Sequence, residues 1–333
     1  MMIHHRKGGK AKKVVLQRIR LACEVADEPT VGSGHGSSMK KLRWKPGMHQ
    51  MAFGLGLTPD ELARCMDLCR EEGAEVFEVV PLNPDRYPYA EVGAIAKSLG
   101  LEIHIGFAMP KGYNPISPDP ELRRKGIEVA MFQIDRAREM GALSLTGMIH
   151  GEWGYRTGKP RTADEWKWGV ESFVKICAYA KNAGIVIGVE PCQADETHFL
   201  NTPEDAARFV RTVNLLIGAP VGKVHVDLYH MMRECMSITD SLLAAGEDIG
   251  YVHISSNRRG VPGEGTVTPW NEFFLGLLAI EYEGPLVAEV FSWEAPGYPV
   301  EATAWRQVAA TPQLAAVESL RYLRRMKGRY GAY

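Results

Sequence analysis

From residue 44 onward, short apolar runs alternate with longer stretches whose apolar positions recur every three or four residues. The runs are KPGMHQMAFG, AEVFEVVPL, LEIHIGFAMP, LSLTGMIHG, IVIGVEP, KVHVDLYHM, GYVHISS and PLVAEVFSW, and their length and Val/Ile content predict strands. Between them lie helical patterns: TPDELARCMDLCREEG, YAEVGAIAKSLG, PDPELRRKGIEVAMFQIDRAREMG, TADEWKWGVESFVKICAYAKNAG, TPEDAARFVRTVNLLIG, ITDSLLAAGEDIG and TPWNEFFLGLLAIEYEG. A last helix is predicted near 312–328. Thr58, Thr162, Thr202, Thr239 and Thr268 stand where N-caps belong, and the helical stretches run into glycines. Eight strand–helix units with short connections predict a closed parallel (β/α)8 barrel. An open doubly wound sheet is the alternative, but FGLGLTPDE supplies only Gly54 and Gly56 towards a glycine-rich phosphate turn.

Composition adds two constraints. The net charge of −1 conceals an asymmetry: residues 1–43 carry ten Lys or Arg against three acids, so residues 44–333 are mildly acidic. That balance argues against nucleic acid as a partner. Residues 1–43 are expected to be a basic, disordered extension or the result of a start upstream of Met39, and 44–333 a single catalytic barrel. No apolar run approaches the ~20 residues of a membrane span. Cys65 and Cys69 share one helix face and read as small core residues; with no CxxC pair, a reducing cytoplasm is expected.

In a parallel barrel the C-terminal strand ends carry the chemistry. The last four strands each end in a metal-ligand type: Glu190 in IVIGVEP, Asp227 in VHVDLYH, His253 in YVHISS and Glu289 in VAEVFSW. Three carboxylates and an imidazole at one rim repel one another, and are costly to desolvate, unless a cation lies between them. Mostly oxygen donors with one nitrogen favour Mn²⁺, Mg²⁺ or Co²⁺. His230, Arg259 and Glu196 lie three to six residues beyond these positions and fit around such an ion. His104 and His225 alternate with apolar residues and read as satisfied interior histidines.

Together GVEPCQADETHFLNT, HVDLYHM, HISSNRRGVPGEG and AEVF resemble the ketose 3-epimerases, the D-tagatose and D-psicose (allulose) 3-epimerase group of the xylose-isomerase-like barrels. SPDPELRRKGIEVAMFQIDRAREMGA resembles that family's third helix, and the likeness spans most of 44–328. The resemblance implies one Mn²⁺ or Co²⁺ held by Glu190, Asp227, His253 and Glu289, with Glu190 and Glu289 flanking C3 of a free ketose. His230, Arg259 and Glu196 match substrate contacts, Trp153 supplies an apolar wall, and a homodimer or homotetramer is expected. Ser255-Ser256 departs from the Gly-Glu the family often carries after the strand-seven histidine, and MIHGEWGYRTGK matches no close pattern.

Inverting C3 requires a proton to leave one face and another to arrive on the opposite face of an enediolate. Glu190 and Glu289, from strands five and eight, are assigned those two roles. An aldose–ketose isomerase and an inosose dehydratase are alternatives on the same scaffold. A metal-dependent abasic-site nuclease and a non-catalytic sugar-binding protein are further classes. The first would need more histidine ligands and a basic face, and the second would not need two flanking carboxylates.

Overall fold

The computed structural model describes residues 43–291 and 307–331. The expected basic extension, up to residue 42, therefore lies outside the described residues. Eight parallel strands close on themselves in sequence order: β1 (Lys45–His49), β2 (Val76–Val79), β3 (Glu102–Gly106), β4 (Ser144–Gly147), β5 (Val186–Val189), β6 (Gly222–Asp227), β7 (Ile249–Ile254) and β8 (Pro285–Ala288). β8 pairs back onto β1, Met48 opposite Ala288. Around them run α1 (Pro59–Glu71), α2 (Tyr89–Ser98), α3 (Pro120–Met140), α4 (Ala163–Ala183), α5 (Pro203–Ile217), α6 (Leu228–Glu234), α7 (Ile238–Ala245), α8 (Trp270–Ala279) and α9 (Pro312–Gly331). The expected closed barrel is what forms.

Local chemistry explains several boundaries. Thr58 and Thr162 open α1 and α4 with reciprocal capping boxes, each hydroxyl accepting from the amide of Glu61 or Glu165 while that carboxylate returns to the cap amide. Thr202 caps α5 through the Asp205 amide. Each cap stabilises its helix by about 1 kcal/mol. α3, α4 and α5 stop at Gly141, Gly184 and Gly218, all in the left-handed conformation that glycine adopts without a Cβ penalty.

Two expected caps are different. Ser237, not Thr239, caps α7 by accepting from the Asp240 amide, and Thr239 instead donates its hydroxyl to the Glu272 carbonyl. α8 begins after Pro269 without a side-chain cap, because the Thr268 hydroxyl accepts from the Asn257 amide across the loop. α8 also ends at Ile280 rather than at a glycine. The run KVHVDLYHM divides at Asp227: the strand stops there, and His230 lies on the short helix α6.

Strand alternation separates two environments. Outward residues such as Phe77, Ile105, Leu145, Ile187, Val226 and Leu286 join helix residues such as Leu62, Ile134, Phe173, Phe209 and Leu277 in one continuous buried core. The inner face differs from the aliphatic filling usual for such barrels. Val76, Tyr251 and Val287 form a small cluster of their own. Around and above it the buried lumen holds His49, Glu78, His104, Thr146, His225 and His253. Buried polar groups are tolerated when paired, so the lumen is where partners have to be found.

Candidate active site

The four strand-end residues converge at the C-terminal rim. Glu190 follows β5 directly, Asp227 ends β6, His253 is next to last in β7, and Glu289 follows β8. Their residues are 8%, 0%, 3% and 9% exposed. Asp227 and His253 are register partners on adjacent strands. One ligand atom from each of Asp227, His253 and Glu289 lies within 4.8 Å of the other two, and Glu190 shares a similar cluster with His225 and His253.

Two cationic or donor groups stand over these carboxylates. The Arg259 guanidinium Nη1 donates to both Asp227 Oδ2 and Glu289 Oε2, the second at 2.6 Å. Its face lies 4.0 Å from the Tyr229 ring centroid, a stacked cation–π contact. Arg259 has φ +57°, an uncommon left-handed conformation for a residue with a side chain. Its amide donates to Ser256 and its carbonyl accepts from Phe291, which fixes that turn from both sides. Arg258 points outward and is exposed, so only one of the arginine pair reaches the site. His230 Nδ1 accepts from the Gln193 amide, and Nε2 lies 3.2 Å from Arg259 Nη2 and 3.7 Å from both Glu190 Oε1 and Asp227 Oδ2.

The two glutamates have opposite electrostatics. Burial pushes the Glu190 carboxyl well above its usual range; His253 opposes that, while Glu289 and Asp227 reinforce it. Burial pushes Glu289 up as well, but Arg259 and then His253 outweigh it and hold its carboxyl well below the usual range.

Whether these donors suit a divalent ion turns on His253. Its Nε2–H donates to Glu78 Oε2 at 2.6 Å. Its Nδ1 is buried without a hydrogen-bond partner among the described residues, and Glu289 Oε2, at 3.6 Å, is too far for one. Burial favours the neutral ring, but Glu78 and Glu289 outweigh it and hold the His253 imidazole above its ordinary range, so a bound ion would take the place of the Nδ1 proton. A ring nitrogen facing carboxylate oxygens, with the other nitrogen tied to a carboxylate, is the arrangement metal-ligating histidines use. The residues fit one hard or borderline divalent ion.

Glu196 and Trp153 meet at the rim. Trp153 Nε1–H donates to Glu196 Oε2 at 3.0 Å, and Gln193 donates to Oε1 at 2.9 Å. Their loops are pinned by the Gly154 amide on the Glu196 carbonyl and by Asn201, whose amide donates to the Cys192 and Thr197 carbonyls. His198, paired with Glu165 at 2.9 Å, ties the same loop to the start of α4.

The model of the xylose isomerase-like TIM barrel family matches residues 66–326. An L-ribulose 3-epimerase from Methylomonas sp. (strain DH-1) is 31% identical over 67% of this chain and 76% of that protein. The chain belongs to this epimerase-containing barrel family. A D-psicose 3-epimerase from Agrobacterium fabrum (strain C58 / ATCC 33970) is 28% identical over 74% of this chain and 85% of its own length. The structure of a D-allulose 3-epimerase from Methylomonas sp. in complex with D-allulose superposes with a TM-score of 0.78 at 26% identity, covering 88% of this chain and all of that one.

This family member has site features that its local sequence does not announce. Glu78, on β2, receives hydrogen bonds from His253, Tyr251 and Thr146, although VFEVV reads as an ordinary strand. His104 is partly satisfied, its Nδ1 lying 2.7 Å from the Ser144 hydroxyl. His225 corrects the expectation of a satisfied interior histidine. Among the described residues neither ring nitrogen has a hydrogen-bond partner; Nδ1 lies 3.9 Å from Glu190 Oε2, and the ring stands edge-on to His253 at 4.1 Å. Ser255, one of the two serines departing from the family pattern, is fully buried with a hydroxyl unpartnered among the described residues, whereas Ser256 accepts from the Gly260 amide. Among the described residues, no helix is long and apolar enough to cross a membrane.

Proposed function

We propose that this protein is a metal-dependent ketose 3-epimerase that inverts C3 of a free sugar through an enediolate. The observation that carries the reading is the pair of buried glutamates, from β5 and β8, on either side of the Asp227–His253 rim. The named relatives support the same reaction class, an isomerase acting on a small ketose. Glu190, Asp227, His253 and Glu289 would hold one divalent ion, with Mn²⁺ the first candidate and Co²⁺ or Mg²⁺ next. When bound, that ion supplies Lewis-acid polarisation of the substrate carbonyl.

The chain's own residues do the rest. One of Glu190 and Glu289 removes the C3 proton, and the other delivers a proton to the opposite face, the roles exchanging with reaction direction. Arg259 and His230 donate to oxygens that gain negative charge in the enediolate. Glu196 binds the C1 hydroxyl end, and Trp153 both orients Glu196 and covers one side of the sugar. A cytoplasmic homodimer or homotetramer is the assembly that accompanies this reading.

Incubation with Mn²⁺ and a panel of D-fructose, D-psicose, D-tagatose and L-ribulose, with products separated by chromatography, tests the proposal directly. C3 epimers are expected, and stripping the protein with a strong chelator should remove the activity until Mn²⁺ is returned. Run in D₂O, the reaction should place deuterium at C3 and not at C1. Label confined to C1 or C2 would identify an aldose–ketose isomerase instead. Ketose phosphates are expected to be poorer substrates; a preference for them of about tenfold, ~1.4 kcal/mol, would overturn the free-sugar reading.

Trp153→Phe keeps an aromatic wall and deletes the donor to Glu196. Because Trp153 is 36% exposed, the lost bond is expected below the ~1.5–3 kcal/mol of a buried bond to a charged acceptor, at about 1 kcal/mol. The expected result is a rise of about fivefold in KM with kcat within about twofold. A fall in kcat alone would place Trp153 in the chemistry rather than in binding.

A further inference from the structure

We propose that Glu78 is a positioning residue for the metal centre, fixing which nitrogen of His253 faces the ion. The inference rests on the reading of His253 as a ligand, and it adds a residue on the opposite side of the lumen. The Glu78 carboxylate is fully buried, and its two oxygens are divided between different strands. Oε2 accepts from His253 Nε2 at 2.6 Å and from the Tyr251 hydroxyl at 2.9 Å. Oε1 accepts from the Thr146 hydroxyl at 3.1 Å and lies 3.8 Å from His49 Nε2.

An ionised carboxylate can only accept. Its contact therefore requires the hydrogen on His253 Nε2 and leaves Nδ1 as the nitrogen that faces the rim, where Asp227 and Glu289 wait. A glutamine at the same place can present an NH₂ group to Nε2. That would favour the hydrogen on Nδ1, where it blocks ligation. The fold reserves space for the carboxylate as well. A Cβ on Gly106, on β3, would lie 2.8 Å from Glu78 Oε1 and 3.1 Å from His49 Nε2, so this strand carries no side chain where the carboxylate sits. A group that merely filled the lumen would not need hydrogen bonds from two separate strands, β4 and β7, to hold it in one orientation.

The test uses the full chain and two readouts: the Mn²⁺ dissociation constant by competition with a chelator, and the imidazole ¹⁵N–¹H correlation spectrum of the Mg²⁺-loaded protein. In the wild type, a slowly exchanging proton is expected on His253 Nε2. Glu78→Gln is expected to weaken Mn²⁺ binding by about tenfold to a hundredfold, the range for such outer contacts, and to lose that signal. Tyr251→Phe removes one donor but leaves the His253–Glu78 pair, and should keep the signal with less than about threefold weakening. A wild type without hydrogen on Nε2 overturns the inference, whether or not the glutamine variant folds. A folded Glu78→Gln protein with unchanged Mn²⁺ affinity does the same while leaving the proposed reaction standing. A wild type that binds no Mn²⁺ overturns the metal reading and this inference together.

Discussion

Glu190→Gln and Glu289→Gln are each expected to stop net inversion at C3, lowering kcat by at least about a thousandfold. A positioned acid or base contributes about 10²- to 10⁴-fold, and each substitution also weakens a ligand to the ion. The two effects can be separated. A two-face mechanism gives each glutamate its own side of C3, so a variant that keeps its ion retains one working face. Such a variant should still wash deuterium into C3 of the starting sugar without producing the epimer. Metal content measured on the same samples distinguishes a lost proton-transfer group from a lost ion. If either variant epimerises at the wild-type rate with label at C3, the reaction class survives and the choice of catalytic pair fails.

Arg259→Met should show the second large effect, on stability as well as rate. The guanidinium contacts two buried carboxylates, Asp227 and Glu289. Deleting the cation leaves buried negative charge uncompensated, which costs about 3–5 kcal/mol when one partner of a buried pair is removed. At about 2.1 cal/mol/K per residue, a chain of 333 residues loses about 1.4 °C of melting temperature per kcal/mol, so a drop of roughly 4–7 °C is expected in metal-free protein. Both side chains are unbranched, so the left-handed backbone at this position penalises them alike. Saturating Mn²⁺ replaces the missing positive charge and should raise the melting temperature of the variant more than that of the wild type. The rate should still fall by about 10²- to 10³-fold, because a donor to the enediolate oxygens is gone. Melts of both proteins with and without Mn²⁺ decide this. Equal responses to the ion would mean that Arg259 does not share a charge-balancing role with it.

What could be read from the chain depends on how far each interaction reaches. The caps at Thr58, Thr162 and Thr202 involve groups three residues apart, and the pattern shows them. Thr239 and Thr268 have the same local appearance, but contacts to Glu272 and Asn257 claim their side chains or amides, and no spacing rule contains those partners. The strand-end acids are visible because each interrupts an apolar run where a barrel exposes its chemistry. Glu78 escapes notice, and His225 reads as a satisfied interior histidine, for the opposite reason: each sits within an alternating strand, where a single polar residue looks like an ordinary inward or outward position. Their neighbours come from strands far away in sequence. The spacing from His253 and the family resemblance single out Arg259 rather than Arg258, and in the structure Arg259, at positive φ, contacts Asp227 and Glu289 while Arg258 is exposed.

The contact between Glu78 and His253 joins residues 175 apart, on the second and seventh strands. It therefore straddles any division of the barrel into front and back halves. A half carrying the last four strands contains all four proposed ligands, yet it lacks the carboxylate that orients one of them. Fragments cut between the fourth and fifth strands should consequently assemble before they acquire a competent centre, and modular exchange of one half for that of another barrel would have to bring a matching glutamate with it.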